Sequence, residues 1–196
     1  MAATVAMSLL LGGCGLSKAY PAKDHFYLAA DREEAPNDLS GPVVRLRPLD
    51  ISSAFAGKGL VFQIADSKYE SAYYAEFFAA PDDMMTDLLG AWLRRCGAFR
   101  GVVGSASTLP AEFVIEGMID RLYADSRDSA SSRAVISLQL RFIDDRGPKP
   151  EVLASKYYSL AEAVASGHPK DVVSGWNRAL KALLEKVESD AKLLLR

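Results

Sequence analysis

Apolar residues recur along this chain with two different periods, and the change between them predicts the order of strands and helices. Alternation of apolar and polar residues is typical of half-buried strands. It occurs in "VVRLRPL" from Val43, in "GLVFQIAD" from Gly59 to Asp66 and in "SAYYAEFF" from Ser71 to Phe78. The stretch "HFYLA" from His25 to Ala29 predicts an earlier strand. Four strands are therefore expected before the first helix.

The first helix is predicted to begin at Pro81, because proline suits the first helical position. Asp82 and Asp83 then lie at the positive end of the helix dipole, and Arg94 and Arg95 lie at the negative end. Apolar residues follow at spacings of three and four, namely Met85, Leu88, Leu89, Trp92 and Cys96. This spacing predicts that Cys96 is a small buried hydrophobe rather than a reactive thiol.

The second half of the chain predicts three strands and a long helix. The strands are expected at Glu112 to Tyr123, Ala134 to Phe142 and Val152 to Ala161, with Ala124 to Arg133 as a hairpin loop between the first two. The helix is expected to begin at Pro169 and carries one apolar stripe. This order predicts a single α+β domain in which two main helices pack on an antiparallel-rich or mixed sheet.

The N-terminal segment has the pattern of an export signal. Residues 1–13 carry no charge and end in two glycines before Cys14. Leu11-Gly12-Gly13-Cys14 resembles the lipobox of bacterial lipoproteins, whose cysteine receives the lipid. We therefore predict a signal peptide at 1–13, a lipidated tether at 14–24 and the folded domain at 25–196. The alternative is a short buried helix or strand with an incidental cysteine.

Two further expectations concern this segment. A basic region normally precedes the apolar stretch, but the first lysine is Lys18, so we expect the natural start to lie upstream. Each acyl methylene adds about 0.8 kcal/mol of membrane affinity, so two or three chains on Cys14 would anchor the protein firmly. Gly15 replaces the aspartate that commonly retains lipoproteins in the inner membrane, which favours the outer membrane.

Composition and charge exclude several classes of protein. The 196 residues carry a formal net charge of −2, with 23 basic and 25 acidic side chains interspersed, so a nucleic-acid partner is not expected. No apolar run reaches the roughly 18 residues of a membrane-spanning helix. The two cysteines and two histidines lack the spacing of a zinc site. We predict no metal and no cofactor.

The polar residues that could support catalysis have simpler explanations. Asp82 and Asp83 diverge around a helix, and Asp144 and Asp145 lie in a turn pattern. His25 and His168 stand alone, and no GxSxG motif is present. Gly57-Lys58-Gly59 lacks the spacing of a phosphate-binding loop. We therefore predict no catalytic residues and no enzymatic activity.

A group of aromatic residues is more informative. In a regular strand, Tyr73 and Phe77 would face one side while Tyr74 and Phe78 face the other. One pair could enter the core, and the second pair would then need cover from a helix or a partner. Burial within the domain is one interpretation; a partner-binding surface formed by Tyr73, Tyr74, Phe77 and Phe78 is the other.

Several features in order resemble a known family. They are the Cys14 lipobox, the early "FYL", the run "GKGLVFQIADSKYESAYYAEFFAAPDDMMTDLLGAWL" and the final helix with its tryptophan. From about Phe26 to Val187 the chain is similar to the ABC-type transport auxiliary lipoproteins, the group that includes paraquat-inducible protein C.

The resemblance implies a non-catalytic periplasmic subunit of an envelope lipid-transport system. Its partners would be an ABC transporter or a related membrane protein and a bridging MCE-domain protein, which the lipid-anchored domain would hold at the outer membrane; a homo-oligomer is possible within this role. A lipoprotein that itself carries a lipid or another apolar ligand is the alternative. An envelope hydrolase is a third and weaker one.

Overall fold

The computed structural model describes residues 22–33, 41–128 and 131–196. The predicted signal peptide, the lipobox and Cys14 lie outside these residues. The elements follow in the order β1 (Asp24–Phe26), β2 (Val43–Leu46), β3 (Asp50–Ile51), β4 (Gly59–Ala65), β5 (Lys68–Phe77), α1 (Pro81–Arg95), β6 (Gly101–Val103), β7 (Phe113–Asp125), β8 (Arg133–Asp144), β9 (Glu151–Ala163) and α2 (Pro169–Leu194).

The strands of the described residues form one mixed sheet with β7 at its centre. On one side, β7 pairs antiparallel with β8, and β8 pairs antiparallel with β9. On the other side, β2, β3 and β4 each pair parallel with successive stretches of β7. Beyond them, β5 pairs with β4, β1 with β5, and β6 with β2. The predicted α+β domain with a mixed sheet and two helices is confirmed.

Both helices begin as the sequence predicts, with a proline at the first helical position and aspartates in the first turn. Their apolar stripes pack on one face of the sheet. Trp176 of α2 is fully buried there, and its indole N–H donates a hydrogen bond to the carbonyl of Val135 in β8. Cys96 is buried beside α1, as predicted, and burial raises the pKa of its thiol.

Strand boundaries depart from the prediction in several places. The strand β2 ends at Leu46 rather than Leu49, and β5 begins at Lys68 rather than Ser71. The strands β7 and β8 extend into both ends of the predicted hairpin loop. The first strand ends at Phe26 rather than Ala29, although Leu28 beyond it is fully buried. The short strands β3 and β6 were not predicted, because two or three residues carry no readable alternation. No helix within the described ranges is long and apolar enough to cross a membrane.

Candidate functional site

The aromatic segment lies where β5 departs from regular pairing. Gly59 is opposite Glu76, whereas Val61 is opposite Ser71, so two steps along β4 correspond to five along β5. The additional residues of β5 bulge out of the ladder. Tyr73 and Tyr74 lie in this bulge, next to the edge strand β1, which pairs with β5 from Ala75 to Phe77.

The four predicted aromatic residues around the bulge differ in their exposure to solvent. Tyr73, Tyr74 and Phe78 are exposed by 69%, 47% and 67%, and Tyr27, which follows β1, is also exposed. Phe77 is only 2% exposed and packs against Trp176 with ring centroids 5.6 Å apart. Three of the predicted residues therefore lie on the surface, and the fourth belongs to the core. We call Tyr27, Tyr73, Tyr74 and Phe78 the aromatic patch.

Charged groups flank the aromatic patch at the start of the described chain. The Lys23 ammonium lies 2.8 Å from a Glu76 carboxylate oxygen and 5.4 Å from the centroid of the Tyr73 ring. The hydrogen bond from Lys23 lowers the pKa of Glu76 and raises that of Lys23. The His25 ring packs edge-on against Phe78 at 6.4 Å. These contacts place the rings of Tyr73 and Phe78 beside β1.

A buried ionic cluster holds the segment after β1 against both helices. Glu188 of α2 accepts hydrogen bonds from Arg32 at 2.7 and 2.8 Å, from the Trp92 indole at 2.8 Å and from Lys192 at 2.6 Å. Burial opposes ionisation of this carboxyl, but the three donors outweigh it and lower its pKa to about 2. The cluster is a fixed structural clamp, and we call it the Glu188 clamp.

The other side chains considered for catalysis lie in separate parts of the fold. Asp82 and Asp83 lie in the first turn of α1, and Asp144 pairs with Arg146 at 2.6 Å in a turn. His168 occupies the position before α2. Within the described residues, no group of three histidine, cysteine or acidic side chains is arranged to hold a metal ion.

The described chain also has an open groove at the far edge of the sheet. It has a volume of about 660 Å³ and lies along β6, lined by Val43, Leu109 and Pro110 and by two arginines, Arg100 and Arg146. Both arginines already pair with carboxylates, Arg100 with Glu112 at 2.9 Å and Arg146 with Asp144. The positive charges of the groove are therefore already compensated by carboxylates.

The described residues form a mixed sheet with two helices and carry an exposed aromatic patch. Residues 26–188 match the family model for the ABC-type transport auxiliary lipoprotein component. The chain therefore belongs to this family, as its sequence predicted. Membership makes it an auxiliary component of ABC-type transport and agrees with a non-enzymatic role in the cell envelope.

Solved structures share the fold at low sequence identity. A protein from Xanthomonas campestris matches with a TM-score of 0.76 and 12% identity, covering 87% of this chain and 96% of its own. A hypothetical protein from Chlamydia trachomatis matches with a TM-score of 0.56 and 13% identity, covering 80% and 98%. A PelC dodecamer from Paraburkholderia phytofirmans matches with a TM-score of 0.50 and 14% identity, covering 84% and 96%. A comparison with curated proteins found no match.

Proposed function

We propose that this protein is a lipid-anchored periplasmic subunit that docks a bridging MCE-domain protein of an ABC-type lipid-transport system at the outer membrane. Family membership over residues 26–188 carries the proposal. The lipobox at Leu11 to Cys14 supports the anchor, and the aromatic patch supports a docking role. Rigid aromatic side chains are favoured anchors at protein interfaces.

The position of the patch relative to the anchor supports this arrangement. Asp24, the first residue of β1, lies ten positions after Cys14 in the sequence. A fully extended chain spans at most about 3.6 Å per residue, so β1 would lie within about 36 Å of a membrane that holds Cys14. The patch borders β1 and would therefore meet a partner that approaches the outer membrane.

The described structure does not favour the lipid-carrier alternative. A carrier of this architecture would need a cavity between the helices and the sheet. Large side chains fill that interface, because Met84, Leu89 and Trp176 are all less than 2% exposed. We therefore propose docking rather than carriage.

The docking surface is tested by co-purification of the MCE-domain protein from crosslinked envelopes. Tyr73→Ala and Phe78→Ala should each reduce its recovery, because both rings lie on the surface of the patch. Leu109→Ala is the matched control, since Leu109 is 59% exposed but lies in the groove along β6. Equal recovery with all three variants would refute the proposed surface; recovery of a second copy instead would assign the patch to self-association.

The anchor is tested separately through Cys14→Ser. We expect the native protein to sediment with outer membranes and to carry acyl chains on Cys14 by mass spectrometry, and the variant to lose both properties. Cys96→Ser is the control, because Cys96 is buried in the domain. Native protein without acyl chains would refute the anchor while leaving the docking test intact.

A further inference from the structure

A polar groove lies on the face of the sheet opposite the helices. Ala134 of β8 faces the helices, because its Cβ lies close to Gly175 of α2. Alternate residues of a strand face opposite sides, so residues of odd number in β8, such as Gln139, face away from the helices. The groove on that face has a volume of about 380 Å³. It is lined by Asp50, Gly117, Met118, Gln139, Arg141 and Ser155.

The register of the sheet places a row of side chains across this groove. Asp50 of β3 is opposite Met118 of β7, which is opposite Gln139 of β8. Gln139 is in turn opposite Tyr157 of β9. Directly opposed residues on one face have Cβ atoms about 5 Å apart. The row therefore spans three strand spacings, or roughly 14 Å, with a carboxylate at one end and an aromatic ring at the other.

The polar side chains of the groove keep free hydrogen-bonding capacity. Within the described residues, no hydrogen bond or ion pair engages the side chains of Asp50, Gln139 and Ser155, and all three residues are exposed. A carboxylate only accepts hydrogen bonds, a guanidinium group only donates them, and an amide or a hydroxyl does both. Hydroxyl groups of a ligand, which also donate and accept, would match this mixed set.

The charges around the groove cancel. Glu116 pairs with Arg47 at 2.6 Å and with Arg141 at 2.9 Å. Together with Asp50, two carboxylates therefore balance two guanidinium groups. A site without net charge gives little electrostatic attraction to a phosphate or to a cation. A neutral ligand that is rich in hydroxyl groups fits the groove better.

Tyr157 supplies a flat apolar surface at the end of the row. Its side chain is 55% exposed and stands beside Gln139, and the small Ser155 follows on the same face. The face of an aromatic ring carries partial negative charge, which attracts the C–H groups on one side of a pyranose ring. An exposed ring beside unengaged polar groups is the arrangement that recognises a sugar.

We propose that this groove binds a neutral saccharide, whose hydroxyl groups form hydrogen bonds with Asp50, Gln139 and Ser155 while one sugar ring stacks on Tyr157. We call it the saccharide groove. Two sources share this chemistry, a polysaccharide of the cell envelope and the sugar headgroup of a glycolipid. The proposal depends neither on the lipid anchor nor on the aromatic patch, because the groove lies on β3 and β7 to β9.

Calorimetric titration of the full chain with neutral tetrasaccharides of glucose, N-acetylglucosamine and galactose tests the saccharide groove. Tyr157→Ala should weaken binding about tenfold, because it removes the stacking surface. Asp50→Asn should weaken binding by about the same factor, because charge-assisted hydrogen bonds are lost. Tyr69→Ala and Asp83→Asn are the matched controls and should bind as the native protein does, since both residues are exposed outside the groove.

A second titrant, glucosylglycerol, distinguishes the two sources because it is the headgroup of a glycolipid without its acyl chains. Binding of either titrant that both groove variants weaken and both controls retain would support the saccharide groove. Tighter binding of a tetrasaccharide would then indicate a polysaccharide, and equal binding of glucosylglycerol would indicate a headgroup. No binding of any titrant, or binding that Tyr157→Ala and Asp50→Asn leave unchanged, would overturn the proposal.

Discussion

Phe77 and Phe78 are adjacent in sequence but differ completely in environment. Alternation along β5 places Tyr73 with Phe77 on one face, yet Tyr73 is the most exposed residue of the patch while Phe77 contacts Trp176. The bulge opposite Val61 breaks the period between them. The sequence identifies these aromatic residues as important, but the bulge depends on pairing with β4 and is not visible in the pattern of β5 alone.

These two phenylalanines should respond oppositely to truncation. Phe77→Ala should lower the free energy of unfolding by about 3–5 kcal/mol, because it opens a cavity beside Trp176. Phe78→Ala should change it by less than about 0.5 kcal/mol. Urea unfolding followed by tryptophan fluorescence measures both, and similar losses in the two variants would contradict the assigned burial.

The Glu188 clamp should make stability depend on pH. The folded-state pKa of Glu188 is about 2, below its ordinary value of 4.5. Because the pKa is lower in the folded state, ionised Glu188 stabilises the fold at pH values above its unfolded-state pKa. This contribution is lost as the pH falls towards the folded-state pKa. Glu188→Gln should therefore cost about 3 kcal/mol at neutral pH, and the difference from the native protein should shrink between about pH 5 and pH 2.

Chemical unfolding of both proteins across this pH range measures that difference. Glu185→Gln is the control, because Glu185 lies on the exposed side of the same helix. A difference that stayed constant with pH would show that the clamp acts through packing rather than through the charge of Glu188. No local pattern of residues indicates this clamp, because its members come from three distant segments.

At the level of elements, the contact between α2 and β8 depends on Gly175. A Cβ atom at this position would lie 2.8 Å from the Cβ of Ala134 and would also collide with Val164. Alanine favours helix by about 1 kcal/mol over glycine, but overpacking costs about 1–3 kcal/mol. Gly175→Ala should therefore lower the thermal midpoint, despite the better helix former.

Gly104→Ala is the control for this substitution. Gly104 lies after β6, where an added Cβ would meet no atom within 4 Å. Calorimetry should show an unchanged midpoint for Gly104→Ala. A rise in the midpoint with Gly175→Ala would mean that the helix shifts freely on the sheet.

The long elements could be predicted because several local signals agree in them. Both helices combine a proline start, first-turn aspartates and an apolar stripe, and β7 to β9 combine alternation with turn residues between them. The strands β3 and β6 lack such signals. They exist because β7 and β2 offer them unpaired backbone groups, which is a property of the assembled sheet.

For the whole molecule, the sheet order should appear as a gradient of amide hydrogen exchange. The strands β7 and β8 are paired on both sides and covered by buried side chains, so their amides should exchange most slowly. The amides of β1 should exchange fastest among the strands, because β1 is a three-residue edge. Equal protection across β1 and β8 by mass spectrometry would contradict this order.

The order and relative direction of the strands in the sheet could not be predicted from the sequence. The alternating segments predict strands, but the parallel alignment of β2, β3 and β4 along one side of β7 joins residues more than 60 positions apart. The local periodicity of a segment does not indicate which distant strand it pairs with. The sequence was informative about which residues are apolar and what ends each element, and much less about which strands meet.

The position of β1 has a mechanical consequence. Tension on the chain N-terminal to Asp24 falls first on the three-residue ladder between β1 and β5, while the Glu188 clamp grips the chain further along at Arg32. A force applied through an N-terminal anchor would therefore separate β1 from β5 before the force acted on the core. Detachment of β1 would thus extend the N-terminal segment while the rest of the domain stays folded.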